Sequence, residues 1–300
     1  MRQIEKTYKK GVLRKLFIKL CRLLGYELID QADISFATSL NKESASIAGK
    51  KSITLPLGEI KIKRKIHSFD VILKTCTSVN LVTQNKKRIF EDKKSEYTFR
   101  TLNSLLKSLK KAETNTKNIN FQITIIDAGS PENDKKIMRE ILEKSKFKFH
   151  FINLNLNDYL QRIKVINKNN AQIESNMKST MASIIKSFEI SKNSNDLVYF
   201  VEDDYIHSLD CISEMLSFYE KFSTIFEDEI FIVPVDYPYL YQKNESTNVY
   251  MGQKFHWRYI KESLLTFLTS KKMINKYYDE LIKMGEIEHE PYEAILHNIY

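Results

Sequence analysis

From Phe69 onward the apolar positions follow two alternating rhythms. Short apolar runs of strand length occur at Phe69 to Leu73, Phe121 to Ile126, Phe149 to Ile152, Leu197 to Val201 and Ile230 to Val235. Between them, apolar residues recur every three or four positions, as on one face of a helix. Leu102, Leu105, Leu106 and Leu109 mark the first such face, and Ile137, Ile141 and Leu142 the second. Met181, Ile184, Ile185 and Phe188 mark the third, and Ile212, Met215, Leu216 and Tyr219 the fourth. Strands alternating with helices predict an α/β fold, a mostly parallel sheet flanked by helices. Further helices are expected over Leu264, Leu265, Phe267 and Leu268, and after Pro291 over Tyr292, Ile295 and Leu296.

The pattern before residue 67 is different. Val12, Leu13, Leu16, Phe17, Leu20, Leu23 and Leu24 stand at helical spacing, interleaved with Lys9, Lys10, Arg14, Lys15, Lys19 and Arg22. Residues 1–28 therefore read as a basic amphipathic helix ending near Gly25, suited either to an anionic membrane surface or to docking on the rest of the chain. A polar stretch runs from Asn41 to Lys51, and Pro56-Leu57-Gly58 with Ile60 and Ile62 suggests a short hairpin. The expected organisation is an N-terminal extension over 1–66 and one domain over 67–300.

Composition narrows the chemistry. An apolar fraction of 42% supports a substantial core, and the 7 glycines form neither a dinucleotide-binding nor a P-loop motif. Cys21, Cys76 and Cys211 are odd in number and widely spaced, which fits a reducing compartment, with the cytoplasm as default. The net charge of +9 invites a polyanionic partner. Because the lysines are spread through nearly every helix, a solvated basic surface explains the charge better than a nucleic-acid site does.

Polar groups collect where the apolar runs end. Leu197 to Val201 stops at Glu202-Asp203-Asp204. Three adjacent carboxylates repel one another unless a cation or donor group compensates them, and hard oxygens suit Mg²⁺ or Mn²⁺. The plainer reading is an acidic loop capping a helix that begins near Ser208. Thr75 and Thr77 come after the first run, Asp127 and Ser130 after the second, and Asp236-Tyr237-Pro238-Tyr239 after the fifth. Parallel strands place all these ends on one edge, where α/β sheets bind ligands. Hydroxyls, aromatics and acidic metal ligands there suit a nucleoside-diphosphate compound.

The order of these motifs resembles the GT-A fold glycosyltransferases, in particular the family 2-like inverting enzymes that use nucleotide sugars. The matching residues are the Thr75-Cys76-Thr77 exit, the helix with Arg100 to Leu105, the turn Asp127-Ala128-Gly129-Ser130 and the triplet Glu202-Asp203-Asp204. The resemblance covers about residues 69–236. It implies Asp204 as main metal ligand for Mn²⁺ or Mg²⁺, and Asp203 or Glu202 at the ribose, the sugar or the metal shell. It also implies that Asp127 and Thr75 to Thr77 line the base pocket. Ala128 stands where the family has a second Asp, so uridine preference does not carry over, and Asp127 is equally a turn former.

Inversion needs a general base, for which Glu290, Asp236 and Glu288 compete in that order. His256-Trp257-Arg258 could stack on a sugar and clamp a diphosphate, or Trp257 could simply anchor the helix expected over Leu264 to Leu268. His67, His150, His207 and His297 show no ligand spacing. The implied activity is transfer of a sugar from a nucleoside-diphosphate sugar to a glycan or lipid-linked acceptor; the expected place is the cytoplasm, with a peripheral position on the inner membrane face as the alternative if residues 1–28 bind membrane. Two rivals are a nucleotidyltransferase, which usually carries a Gly-rich loop after its first strand, and a non-catalytic basic module binding anionic membrane or nucleic acid. No glycine occurs between Gly58 and Gly129.

Overall fold

The computed structural model describes residues 12–26, 61–78, 93–116, 118–164, 175–237, 247–287 and 293–299. The chain divides into two compact units, Met1–Lys61 and Ile62–Tyr300. In the first, α1 (Val12–Leu23) ends as the pattern predicts. Gly25 takes a positive φ of 81°, and the Tyr26 N–H reaches back to the Cys21 carbonyl at 2.9 Å, closing the helix with a left-handed cap. The predicted hairpin near Pro56 lies outside the described residues.

The second unit keeps the predicted strand and helix rhythm. It runs β1 (Ser68–Thr75), α2 (Lys94–Asn115), β2 (Asn120–Asp127), α3 (Glu132–Ser145), β3 (Lys148–Asn153), α4 (Ser175–Ser191), β4 (Leu197–Glu202) and α5 (Cys211–Phe226). Next come a hairpin of β5 (Val249–Met251) and β6 (His256–Arg258), then β7 (Phe267–Ser270) and the short helices α6 (Lys271–Lys276), α7 (Tyr278–Leu281), α8 (Lys283–Glu286) and α9 (Ala294–His297). The main sheet has the order β3-β2-β1-β4-β7. Its first four strands are parallel, and β7 runs antiparallel to β4.

Alternation along the central strands sorts their side chains into two cores. Ile72, Ile126, Val198 and Phe200 join Met181, Ile184, Ile185 and Phe188 of α4 on one face. On the other, Phe69 meets Tyr199, and Tyr199 meets His207 beyond the strand. Because β1 and β4 are covered on both faces, both read as unbroken apolar runs. At the opposite edge from the strand ends, Arg64 pairs with Asp196 and Glu229, and the backbone N–H groups of Lys63 and Arg64 donate to Thr224.

Two expected elements are corrected. The run Ile230 to Val235 is not a sheet strand. Only Ile232 pairs, exchanging bonds of 2.8 and 2.7 Å with Leu268, and Pro234 supplies no N–H for a ladder. The helix expected over Leu264 to Leu268 is instead the strand β7, which takes the place beside β4. Residues 265–270 are all buried, and a strand buried on both faces carries the same dense apolar pattern as a helix. The β-branched Thr266 and Thr269 favour the extended form.

Candidate active site

The exits of β1 and β2 are stitched together through Asp127. Its Oδ1 accepts from the N–H groups of Gly129 (3.2 Å) and Ser130 (2.9 Å), and its Oδ2 accepts from the Thr75 hydroxyl at 2.9 Å. Gly129 has φ 103°, a conformation that calls for glycine. Ser130 Oγ accepts the Thr77 N–H at 2.9 Å, and Thr77 Oγ1 donates to Asp134 at 2.7 Å. Asp127 is buried, so the turn-forming role foreseen for it is realised as an internal brace for the floor of the site.

Period-two geometry splits the acidic triplet. Glu202 stands in register with Lys74 on the α4 side of the sheet, its carboxylate 3.7 Å from the Lys74 ammonium. Burial raises its proton affinity; Lys74 opposes that shift, while Asp204, Glu293 and Asp203 reinforce it. Burial likewise raises Glu293, just before α9, against the influence of Lys74 and His297. Asp203 turns to the other face. There it accepts from Lys94 Nζ (2.6 Å), Thr98 Oγ1 (2.8 Å) and the Cys76 N–H (3.3 Å). Asp204 is exposed at the edge between them.

Asp236, His256, Trp257 and Arg258 meet in a second place. They line a cavity of about 490 Å³ together with Glu214 and Met215 of α5 and residues 233–235. Arg258 grips Asp236 with a two-point fork of 2.8 and 2.5 Å. Trp257 stacks on Phe218, ring centroids 4.4 Å apart, and its Nε1 donates to the buried Glu214 at 3.2 Å. Glu214 also accepts the N–H groups of Gln253 and Lys254, so one carboxylate fastens the β5–β6 turn to α5. Trp257 thus anchors the hairpin, while His256 is exposed at the cavity. A 2.9 Å bond between the Tyr205 and Tyr237 hydroxyls links the loop after the triplet to the segment of Asp236.

The predicted residues therefore form two neighbouring groups rather than one constellation: Thr75, Thr77, Asp127 and Asp203 at the sheet edge, and Asp236 with His256 to Arg258 in the cavity. Glu288 and Glu290 lie outside the described residues. Sequence reasoning missed Lys74, Lys94, Glu214 and Glu293. Lys74 could have been found from its register with Glu202, since both close buried strands; Lys94 stands 109 residues from its partner and carries no local signal.

The donor chemistry fits a divalent ion in one way only. Among the described residues no group of three or more His, Cys, Asp or Glu side chains is placed to hold a metal. Asp203 is already bonded to Lys94 and Thr98, and Glu202 faces Lys74. A hard ion that arrives with phosphate oxygens would need just one or two carboxylates from the protein, and Asp204, exposed at the edge, is the member of the triplet that would supply one.

The architecture is an α/β fold with a mostly parallel five-stranded sheet flanked by helices. No protein family matches the sequence, and no curated protein sequence matches it. Solved structures with which it shares structural similarity include Staphylococcus aureus TarS, at 12% identity over 70% of this chain and TM-score 0.39. They include also the galactosyltransferase LgtC in complex with donor and acceptor sugar analogs, at 12% identity, 77% of this chain, 70% of that chain and TM-score 0.34. A third is the bifunctional glycosyltransferase WbbM, at 9% identity, 79% of this chain, 36% of that chain and TM-score 0.33. The chain spans 49% of that TarS chain and 21% of a second TarS structure. With TM-scores below 0.5, these likenesses assign neither a fold family nor a function to this chain.

Proposed function

We propose that the second unit is a metal-dependent, inverting glycosyltransferase that moves a sugar from a nucleoside-diphosphate sugar to a glycan or lipid-linked acceptor. The observation that supports this is the convergence of Thr75, Asp127, Asp203 and Asp204 on one end of the parallel strands, the edge where such sheets bind nucleotides. In this reading Asp204 would hold Mn²⁺ or Mg²⁺, and the ion would offset charge on the departing diphosphate. Asp203, fixed by Lys94 and Thr98, keeps the turn after β4 rigid and sets where Asp204 projects. The floor built on Asp127 and the Thr75 to Thr77 exit supports the base.

The acceptor side is the cavity of Asp236 and Arg258. Asp236 is the described carboxylate among the three base candidates. To accept a proton from an acceptor hydroxyl it must loosen the Arg258 fork, so substrate would have to exchange with that pair. Glu290 and Glu288 remain the competitors.

The test is a screen of nucleoside-diphosphate sugars with Mn²⁺ or Mg²⁺, read as donor hydrolysis or transfer. Activity abolished by EDTA and by Asp204→Ala, with an inverted anomeric centre in the product, supports the reading. Activity that is untouched by both sinks the metal assignment, and formation of nucleoside triphosphate and sugar 1-phosphate when pyrophosphate is added would instead mark a nucleotidyltransferase. Asp236→Asn and Glu290→Gln then separate the bases: loss of the acidic limb of the rate profile identifies the residue responsible.

A further inference from the structure

At 3.6 residues per turn Leu13, Leu16, Phe17, Leu20 and Leu23 of α1, with Leu24 just past its end, share one arc; Arg14, Lys15, Lys19 and Arg22 fall on the other with Ile18 among them, and the helix contains no acidic residue. The six residues of the apolar arc are more than half exposed, from 56% at Leu20 to 85% at Leu13. A contiguous apolar arc of that kind marks an interaction surface.

We propose that α1 lies in the headgroup region of an anionic lipid bilayer, its apolar arc inserted and its cations at the phosphate level. The charge pattern selects this occupant. A second copy of the helix would cover the apolar arc but leave the four cations without counter-charge. An anionic bilayer satisfies both arcs at once, apolar contact for one and phosphate for the other. No described helix is long and apolar enough to cross a membrane, and a helix with an apolar arc opposite a cationic one lies in the plane of the interface.

This inference goes beyond the transfer chemistry and is tested without a donor sugar, so either can fail while the other stands. The full chain is sedimented with vesicles of phosphatidylcholine alone and of phosphatidylcholine with about one-third phosphatidylglycerol. Binding is expected to the anionic vesicles and to be far weaker on the neutral ones. Lys15→Gln with Lys19→Gln should weaken binding by about 25-fold, taking about fivefold per cation. Leu16→Gln with Leu20→Gln keeps the charge and should weaken it by at least about tenfold. Failure to bind anionic vesicles would overturn the proposal. So would full binding by the leucine variant, which would assign binding to the general basic surface, or a dimer in light scattering that the leucine variant abolishes.

Discussion

Lys94 and Asp203 form an ion pair between the start of α2 and the end of β4, Nζ 2.6 Å from Oδ1, with the side chains only 13% and 11% exposed. The second carboxylate of the acidic triplet is therefore committed inside the protein, and the first turn of α2 fixes its position. Removing one partner of such a buried pair leaves an uncompensated charge. Lys94→Met is expected to lower stability by about 3 kcal/mol, read as a lower urea midpoint at pH 7. Adding Asp203→Asn to the same chain should recover part of the loss, since the neutral amide can still accept from Thr98. An unchanged midpoint for the single variant would show the pair to be dispensable.

Asp204, one residue further on, lies at the surface. It is exposed, so Asp204→Ala is expected to leave stability within about 0.5 kcal/mol of the parent. On the proposed chemistry the same change lowers kcat/KM by about 100-fold or more, equivalent to roughly 2.7 kcal/mol of transition-state stabilisation. Paired unfolding and rate measurements on one preparation separate the two effects.

His207 gives the protein a defined response to acid. The ring is buried, with Nε2 3.0 Å from the Tyr199 hydroxyl, and burial lowers its pKa to about 4. In the unfolded chain it titrates near about 6.5, so below that pH the unfolded state binds the extra proton. Its contribution to stability is complete above about 6.5 and is lost as pH falls toward 4, by roughly 3 kcal/mol. His207→Gln should flatten that part of the stability profile, measured by urea unfolding at pH 7 and near pH 4.5. A parallel profile for the variant would assign the acid sensitivity to the carboxylates instead.

Gly285 in α8 marks a close helix approach. A β-carbon there would lie 2.5 Å from Ile185 Cγ1 and 2.6 Å from the Met181 carbonyl oxygen of α4. Gly285→Ala is expected to force the two helices apart and destabilise the unit by about 1–3 kcal/mol, visible as a lower melting temperature. A stabilised variant would show that α8 yields without strain.

Local pattern determined much of this protein by itself. The four parallel strands, the helices between them and the Gly25 stop of α1 are all legible, because backbone periodicity and turn chemistry act over a few residues. That Thr75, Asp127 and the acidic triplet share one edge is also legible in the sequence, since parallel strands leave no other arrangement. The tertiary structure decided what local pattern leaves degenerate. A buried antiparallel strand at Phe267–Ser270 and a helix have the same dense apolar signature, and only pairing with β4 chooses between them. The roles of Glu202, Asp203 and Asp204 were likewise undecided: the strand's alternation sends the first two to opposite faces, but the cations that meet them, Lys74 and Lys94, come from distant segments. Those pairings depend on how the fold brings β1 and α2 against the end of β4, and no spacing along the chain records that distance.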